Sequence, residues 1–220
     1  IHYAVEDVTY LGPLYRELSS NLAELGRTDW FESDMQVRGT YTPTDPQQYF
    51  RNIKKAWQLP GPKLAVLKAL CAWREVTARK EDVPRNRIIW DDHLFSFAEI
   101  DTLSEDHVRQ ALPRGVAKRY GAELIEQHRS GLQSEAPQAL PKPLSSAQGA
   151  TVKMLRELAL GKANHLGMAP ELLARKKDLE ACVRHHVASS TLSPHYTAWR
   201  GDLVAASFAE LLQARSGGSV

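Results

Sequence analysis

Apolar residues recur at steps of three and four along most of this chain, the signature of amphipathic helices. From His2 to Leu25 the helical positions are Tyr3, Asp7, Tyr10, Leu11, Leu14, Leu18 and Leu22, and Gly26 supplies a stop. Pro13 lies inside this run and predicts a kink near Thr9 or Tyr10, where a backbone hydrogen bond is lost. Residues 27–44 form a connector with room for one short helix around Trp30. Asp45-Pro46 then opens the next helix as N-cap and N1. Five helices are expected over Pro46–Trp57, Pro62–Lys80, Asp92–Glu99, Ser104–Leu112 and Arg114–His128. A linker is expected over 131–149, where Pro137, Pro141 and Pro143 accompany scattered Ser and Gln. A second block predicts helices over Thr151–Leu166, Pro170–Ala174, Leu179–Ala188 and Tyr196–Ala214, followed by the fraying end Ser216-Gly217-Gly218-Ser219. Each block has a Leu/Ala-rich helix, a turn flanked by Arg or Lys and a closing amphipathic helix, a pattern consistent with a divergent tandem repeat.

Composition agrees with an all-α chain, because Leu and Ala far outnumber the β-branched Ile and Val. With 43% apolar and 25% charged residues over 220 positions, the chain sits at the globular average, which excludes disordered, collagenous and disulfide-stapled classes. No run of about 18 apolar residues spans a bilayer. Ile1 is not preceded by Met and no signal-peptide pattern follows, so the sequence reads as a piece of a longer protein. Cys71 and Cys182 stand in no ligand or disulfide spacing, the cysteine usage of a reducing compartment, and a cytoplasmic location is expected. Charge is uneven: residues 1–34 carry seven acidic and two basic side chains, whereas 35–134 and 135–220 are mildly basic. An acidic leader of this kind suits a metal-binding edge, and the basic blocks suit contact with a polyanion; solvated helix faces are the plain alternative.

Tyr3 and Asp7 lie one helical turn apart on one face, so a phenol and a carboxylate can address a single site. Asp supplies hard oxygen for Mg²⁺ or Mn²⁺, and a tyrosine hydroxyl can orient a water toward phosphorus. Glu6 points about 100° away and is read as solvated. The stretch Tyr3-Ala4-Val5-Glu6-Asp7-Val8-Thr9-Tyr10-Leu11 resembles the third exonuclease motif, Y-A-x-x-D-V-x-Y-L, of the DEDDy 3′-to-5′ exonucleases of the ribonuclease D type. Ala56-Trp57-Gln58-Leu59, Leu64 through Leu70, Trp73-Arg74-Glu75, Ala78-Arg79, Asp82-Val83-Pro84 and Asp92-His93-Leu94 resemble the HRDC module. Leu172-Leu173-Ala174-Arg175-Lys176 and Trp199-Arg200-Gly201-Asp202-Leu203 resemble the second HRDC-like domain of that family.

The resemblance implies an order of parts. Residues 1–44 would end an α/β ribonuclease H-like exonuclease domain with its last helix and a connector. Residues 45–130 would form a first HRDC domain, 131–149 a linker and 150–220 a second HRDC-like domain. In that family four carboxylates hold two divalent ions, Mg or Mn, and nucleotides leave singly from the RNA 3′ end. Asp7 matches the last metal-ligating carboxylate and Tyr3 the catalytic tyrosine. The D-x-E motif that supplies the first two acids in that family is not found ahead of Asp7 here, and one aspartate cannot hold two ions, so the fragment alone is expected to be inactive. The implied partner is RNA, with precursor tRNA 3′ ends as the expected substrate, and the expected state is a monomer.

Phosphate contacts are expected first from the turn Arg79-Lys80-Glu81-Asp82-Val83-Pro84-Arg85-Asn86-Arg87, through Arg79, Lys80, Arg85 and Arg87. The plain alternative has Arg74 and Arg79 in ion pairs within the bundle while Asp82 caps a turn. Arg175 and Lys176 open a helix against its dipole, which points to a bound anion, and Lys118 and Arg119 form a further basic pair. Trp57, Trp73 and Trp199 are expected in the core, with Trp30 and Trp90 unassigned. The adjacent His185 and His186 point to no zinc site. A non-catalytic nucleic-acid-binding HRDC module, as in the tails of RecQ-type helicases, is the competing reading, and a protein-interaction bundle is a third.

Overall fold

The computed structural model describes residues 8–39 and 41–216, and all regular structure among them is helical. The α-helices are α1 (Leu11–Glu24), α2 (Thr28–Arg38), α3 (Gly61–Glu81), α4 (Arg85–Ile88), α5 (Asp91–Glu99), α6 (Glu105–Ala111), α7 (Arg114–Gln133), α8 (Ser146–His165), α9 (Pro170–Leu173), α10 (Lys176–Ser189) and α11 (Ala198–Ser216). Contacts divide the chain into two compact units: Thr42–Pro143, and Ile1–Tyr41 together with Leu144–Val220. No helix among the described residues is long and apolar enough to cross a membrane.

In the unit Thr42–Pro143, α3 is the axis. Ten of its residues are buried, including Leu64, Val66, Leu67, Leu70, Cys71 and Ala78, so it is enclosed on several sides and not merely laid on a surface. α7 pairs with it through Tyr120, Leu124, His128 and Gly131. A methyl group at Gly131 would lie 2.6 Å from Val66 Cα, so only glycine lets the two backbones approach this closely. Phe50 and Ile53 close the core beneath them, and Leu94, Phe97, Leu103 and Val108 cap it from α5, α6 and their junction.

The expected helix over Pro46–Trp57 is two 3₁₀ turns, Pro46–Asn52 and Ala56–Gln58. Asp45 does cap it, its side chain accepting from Gln47 N at 2.9 Å, but Ile53 is extended, which lets Ile53 and Ala56 both turn into the core. Trp57 is consequently only half-buried, as is Trp73, whose indole donates to Glu123 at 2.6 Å; Trp199 is buried as expected. The 131–149 linker is shorter than expected. α7 continues through Gln133, and a capping box between Ser145 and Gln148 starts α8 at Ser146.

In the other unit, α8, α10 and α11 enclose Leu155, Ala159, Leu179, Cys182, Tyr196, Phe208 and Leu212. The helical run interrupts at Tyr10, where the missing Pro13 N–H was expected to break it, and α1 ends on Gly26 with Arg27 N bonded to Leu22 O and Gly26 N to Ala23 O. α2 is the short helix expected around Trp30. It belongs to the same unit as the C-terminal helices and packs its Trp30 there, so it is not a free connector.

The repeat is visible in the core. Leu67/Val152, Leu70/Leu155, Ala78/Ala163, Ile88/Leu173, Ile89/Ala174, Leu94/Leu179, Phe97/Cys182 and Ala98/Val183 are all buried, and each pair is 85 residues apart. The helix ends correspond as well. α3 closes through left-handed Asp82 with Val83 N bonded to Ala78 O, and α8 closes through left-handed Gly167 with Met168 N bonded to Ala163 O. Four-residue helices α4 and α9 then follow in register.

Gly131→Ala is expected to lower the unfolding free energy by about 1–3 kcal/mol through overpacking. Alanine would stabilise an exposed helical site by up to about 1 kcal/mol, so a gain in stability on urea denaturation would show that the close α3–α7 contact is absent.

Candidate nucleic-acid interface

The turn after α3 is built from two buried charges. Arg74 is 4% exposed and Glu75 6%. Arg74 Nη1 contacts Asp91 Oδ1 at 2.6 Å and donates to Ile89 O at 3.0 Å, which fixes the entry to α5. Glu75 Oε1 accepts from Arg79 Nε at 2.8 Å, and its Oε2 lies 3.6 Å from Arg85 Nε. Ile88 and Ile89 are buried beneath α4, so the segment between Pro84 and Asp91 is anchored at both ends and along its inner side. Trp90, between Ile89 and Asp91, is by contrast 62% exposed.

The expected basic residues fall into distinct settings. Arg79 also donates to Thr44 O at 2.8 Å, and the Arg85 guanidinium stacks 4.6 Å from the Tyr49 ring centroid. The plain alternative thus describes Arg74 and Arg79: both serve the bundle, and Asp82 closes the helix. Lys80 and Arg87 are exposed and held by no ion pair among the described residues. Arg119 reaches Glu81 at 3.0 Å and lies over Tyr120, whose hydroxyl donates to the same Glu81 at 2.8 Å. Lys118 instead lines a separate groove with Arg109 and Arg114. In the second unit Arg175 donates to Asp178 at 2.8 Å, and Lys176 lies 3.7 Å from Glu180. Asp178 sits in the first turn of α10 and answers the dipole that the two cations oppose.

Tyr3 and Asp7 lie outside the described residues. Burial pushes the Cys71 thiol up to about 12 and also raises Cys182, so neither is a nucleophile at neutral pH.

A second constellation escaped the sequence reading. Trp30 of α2 stacks on Trp199 of α11 with centroids 4.8 Å apart and planes 9° from parallel. Arg200 lies 4.1 Å from the Trp199 ring centroid and grips Asp34 with two 2.7 Å hydrogen bonds, while Trp199 Nε1 donates to Asp34 at 3.2 Å. Arg27 adds a hydrogen bond to Leu166 O. The hydrogen bond from Arg200 holds the Asp34 carboxyl below its ordinary range. The available signal was the pairing of Trp with charged neighbours at both places, which acquires meaning only when the fold brings them together.

The HRDC domain family matches residues 63–127, the stretch that contains nearly all of α3, all of α4 to α6 and most of α7. The chain is therefore an HRDC-containing helical protein. It is a relative of ribonuclease D: it is 35% identical to Ribonuclease D of Pseudomonas paraeruginosa over 190 residues, covering 84% of this chain and 50% of that protein. It is 32% identical to Ribonuclease D of Granulibacter bethesdensis over 217 residues, covering 92% of this chain and 53% of that one. The crystal structure of Escherichia coli RNase D, described as an exoribonuclease involved in structured RNA processing, matches with a TM-score of 0.78 at 26% identity, over 97% of this chain and 60% of that chain. The chain spans about half the length of the curated relatives it matches.

Because the folded Asp34 pKa is depressed, its stabilising contribution is present above the unfolded value of about 3.9 and disappears as pH falls through the lower folded value. Asp34→Asn is expected to cost about 1.5–3 kcal/mol at pH 7 and to flatten the acid limb of stability below about pH 5. Parallel wild-type and variant curves, followed by tryptophan fluorescence, would refute the assignment.

Proposed function

We propose that this chain is the C-terminal portion of a 3′-to-5′ exoribonuclease of the ribonuclease D type that trims tRNA 3′ ends in the cytoplasm as a monomer. The observation that carries this reading is the similarity to ribonuclease D proteins along most of the chain, in sequence and in fold. In this reading residues 1–44 end the exonuclease domain, 45–130 form the first HRDC domain, 131–149 include the linker, and 150–220 form the second HRDC-like domain. Two observations support the division. The HRDC match at 63–127, displaced by the 85-residue core register, falls within the C-terminal helices. And α1 buries none of its residues, leaving Leu11, Leu14, Tyr15 and Leu18 exposed as an apolar stripe suited to a nuclease core.

Tyr3 and Asp7 would supply the catalytic tyrosine and one metal-ligating carboxylate, and two Mg or Mn ions would supply the activated water and charge neutralisation. Among the described residues no group of three His, Cys, Asp or Glu comes together that could hold a metal ion. The remaining carboxylates are thus assigned to the nuclease domain, and no step is routed through the bundles. Their part is to bind RNA: Arg79, Lys80, Arg85, Arg87, Lys118 and Arg119 from the first unit, and Arg175 and Lys176 from the second. Of these, Lys80, Arg87 and Lys118 have the fewest intramolecular ties and are expected to contribute most to phosphate contact. Two linked modules gain from each other because the second contact becomes intramolecular.

The test is 3′ shortening of a precursor tRNA by the full-length protein carrying this chain, with and without divalent metal. Release of single nucleotides only with metal, abolished by Asp7→Asn, is the expected result. Salt-dependent RNA binding without any trimming would replace this reading with that of a non-catalytic HRDC module.

A further inference from the structure

We propose that the groove beside Trp90 receives one unpaired nucleobase of single-stranded RNA, stacked on the indole; this rests on the RNA-binding reading above and assigns the part that this face plays in it. The groove has a volume of about 680 Å³, and its lining includes Trp90, Tyr49, Arg74, Arg85, Asn52, Asn86, Asp91 and Asp92. A volume in the range of small-ligand sites accommodates a base with its sugar.

Three observations point to a base and not to a phosphate. Trp90 is 62% exposed, whereas the other four tryptophans are buried or half-buried. Its backbone is nevertheless fixed. Ile88 and Ile89 are buried on one side, Asp91 is tied to Arg74 on the other, and Trp90 O accepts from Leu94 N at 3.3 Å. A large apolar ring held on a rigid base and left in water is a stacking platform that needs little ordering on binding.

The groove is also charge-balanced. Arg74 and Arg85 face Asp91 and Asp92, so there is no surplus cation to cradle an anion. The side-chain amides of Asn52 and Asn86 and the Asp92 carboxylate instead offer both donors and acceptors, the complement of a base edge. Arg74, although almost wholly buried, keeps an Nε without a hydrogen-bond partner. Phosphates on either side of the stacked base would fall to the exposed Arg87 and Lys80.

The third observation comes from the repeat. Displaced by 85 residues, Trp90 becomes Arg175, and a groove exists there too, lined by Lys153, Arg156, Arg175 and Lys176 against Glu157 and Glu171. The same core is therefore built with a cation at this position, so the fold does not require the indole. The two grooves differ in chemistry: one aromatic and neutral, one cationic.

The experiment measures binding of a fluorescently labelled 12-nucleotide single-stranded RNA, and of a blunt duplex, to the intact chain by polarisation across a salt series. The proteins are the wild type, Trp90→Ala, Trp90→Phe and the double variant Lys80→Gln/Arg87→Gln. Trp90→Ala is expected to weaken single-strand binding about 5- to 100-fold, as loss of one stacked base requires, with the salt slope and duplex binding unchanged. Trp90→Phe should stay within about threefold of wild type, because a phenyl ring still stacks. The Lys80/Arg87 double variant should instead lower the salt slope by about 0.7 per lost phosphate contact. Salt-dependent binding that Trp90→Ala leaves intact, or that Phe loses as fully as Ala, overturns the stacking proposal and spares the RNA-binding reading. Absence of any RNA binding by the wild type overturns both.

Discussion

The face on which the functional reading depends is set by two adjacent buried charges, Arg74 and Glu75. Removing such groups from water carries a penalty of several kcal/mol each, offset only when their hydrogen-bonding positions are well filled. Arg74 pairs with Asp91 and the Ile89 carbonyl through Nη1 while its Nε has no hydrogen-bond partner, and Glu75 Oε1 accepts from Arg79 while its Oε2, also without a hydrogen-bond partner, lies 3.6 Å from Arg85. These partners are spread over the end of α3, α4 and the start of α5, so the two charges fix the path of the intervening turn. The buried side chains of Ile88 and Ile89 then force Trp90 outward. The exposed indole follows from core electrostatics and packing acting together. Basic residues that had looked alike are sorted by the same network into those that hold the turn and those left for a ligand.

Much of the architecture was legible because helices announce their ends chemically. Asp45-Pro46, the Ser104 cap and Gly26 all mark real boundaries, and the long helices stand where the three-and-four periodicity put them. The departures have local causes. The stretch Pro46–Gln58 carries helical periodicity but must bury Phe50, Ile53 and Ala56 within thirteen residues, which two 3₁₀ turns joined by an extended Ile53 accomplish. At 131–149 three prolines read as a linker, yet the Ser145–Gln148 capping box beside them already starts α8.

The candidate site was less legible, since its geometry comes from partners far apart in sequence. Arg74 meets Asp91, Arg119 meets Glu81, and Arg200 meets Asp34 across separations that no local pattern encodes. The basic turn at 79–87 stands out in the sequence, but which of its cations are internally committed depends on Glu75. At Arg175 the two cations that oppose the α10 dipole are answered by Asp178, three residues later in the same turn and paired with Arg175. The repeat, faint in sequence, is plain in burial: eight pairs of core positions keep one register while the exposed residues between them diverge. Selection on a core preserves volume and polarity, whereas a surface is free to turn an aromatic groove into a cationic one.

The reading stands or falls on RNA being engaged at the edge formed by α4, Trp90 and the start of α5. Amide hydrogen exchange on the intact chain, with and without a saturating single-stranded RNA, addresses this directly, because it reports every backbone segment at once. Slowed exchange over residues 85–94 is expected when RNA is present. Protection confined to other segments, with 85–94 unchanged, would contradict it.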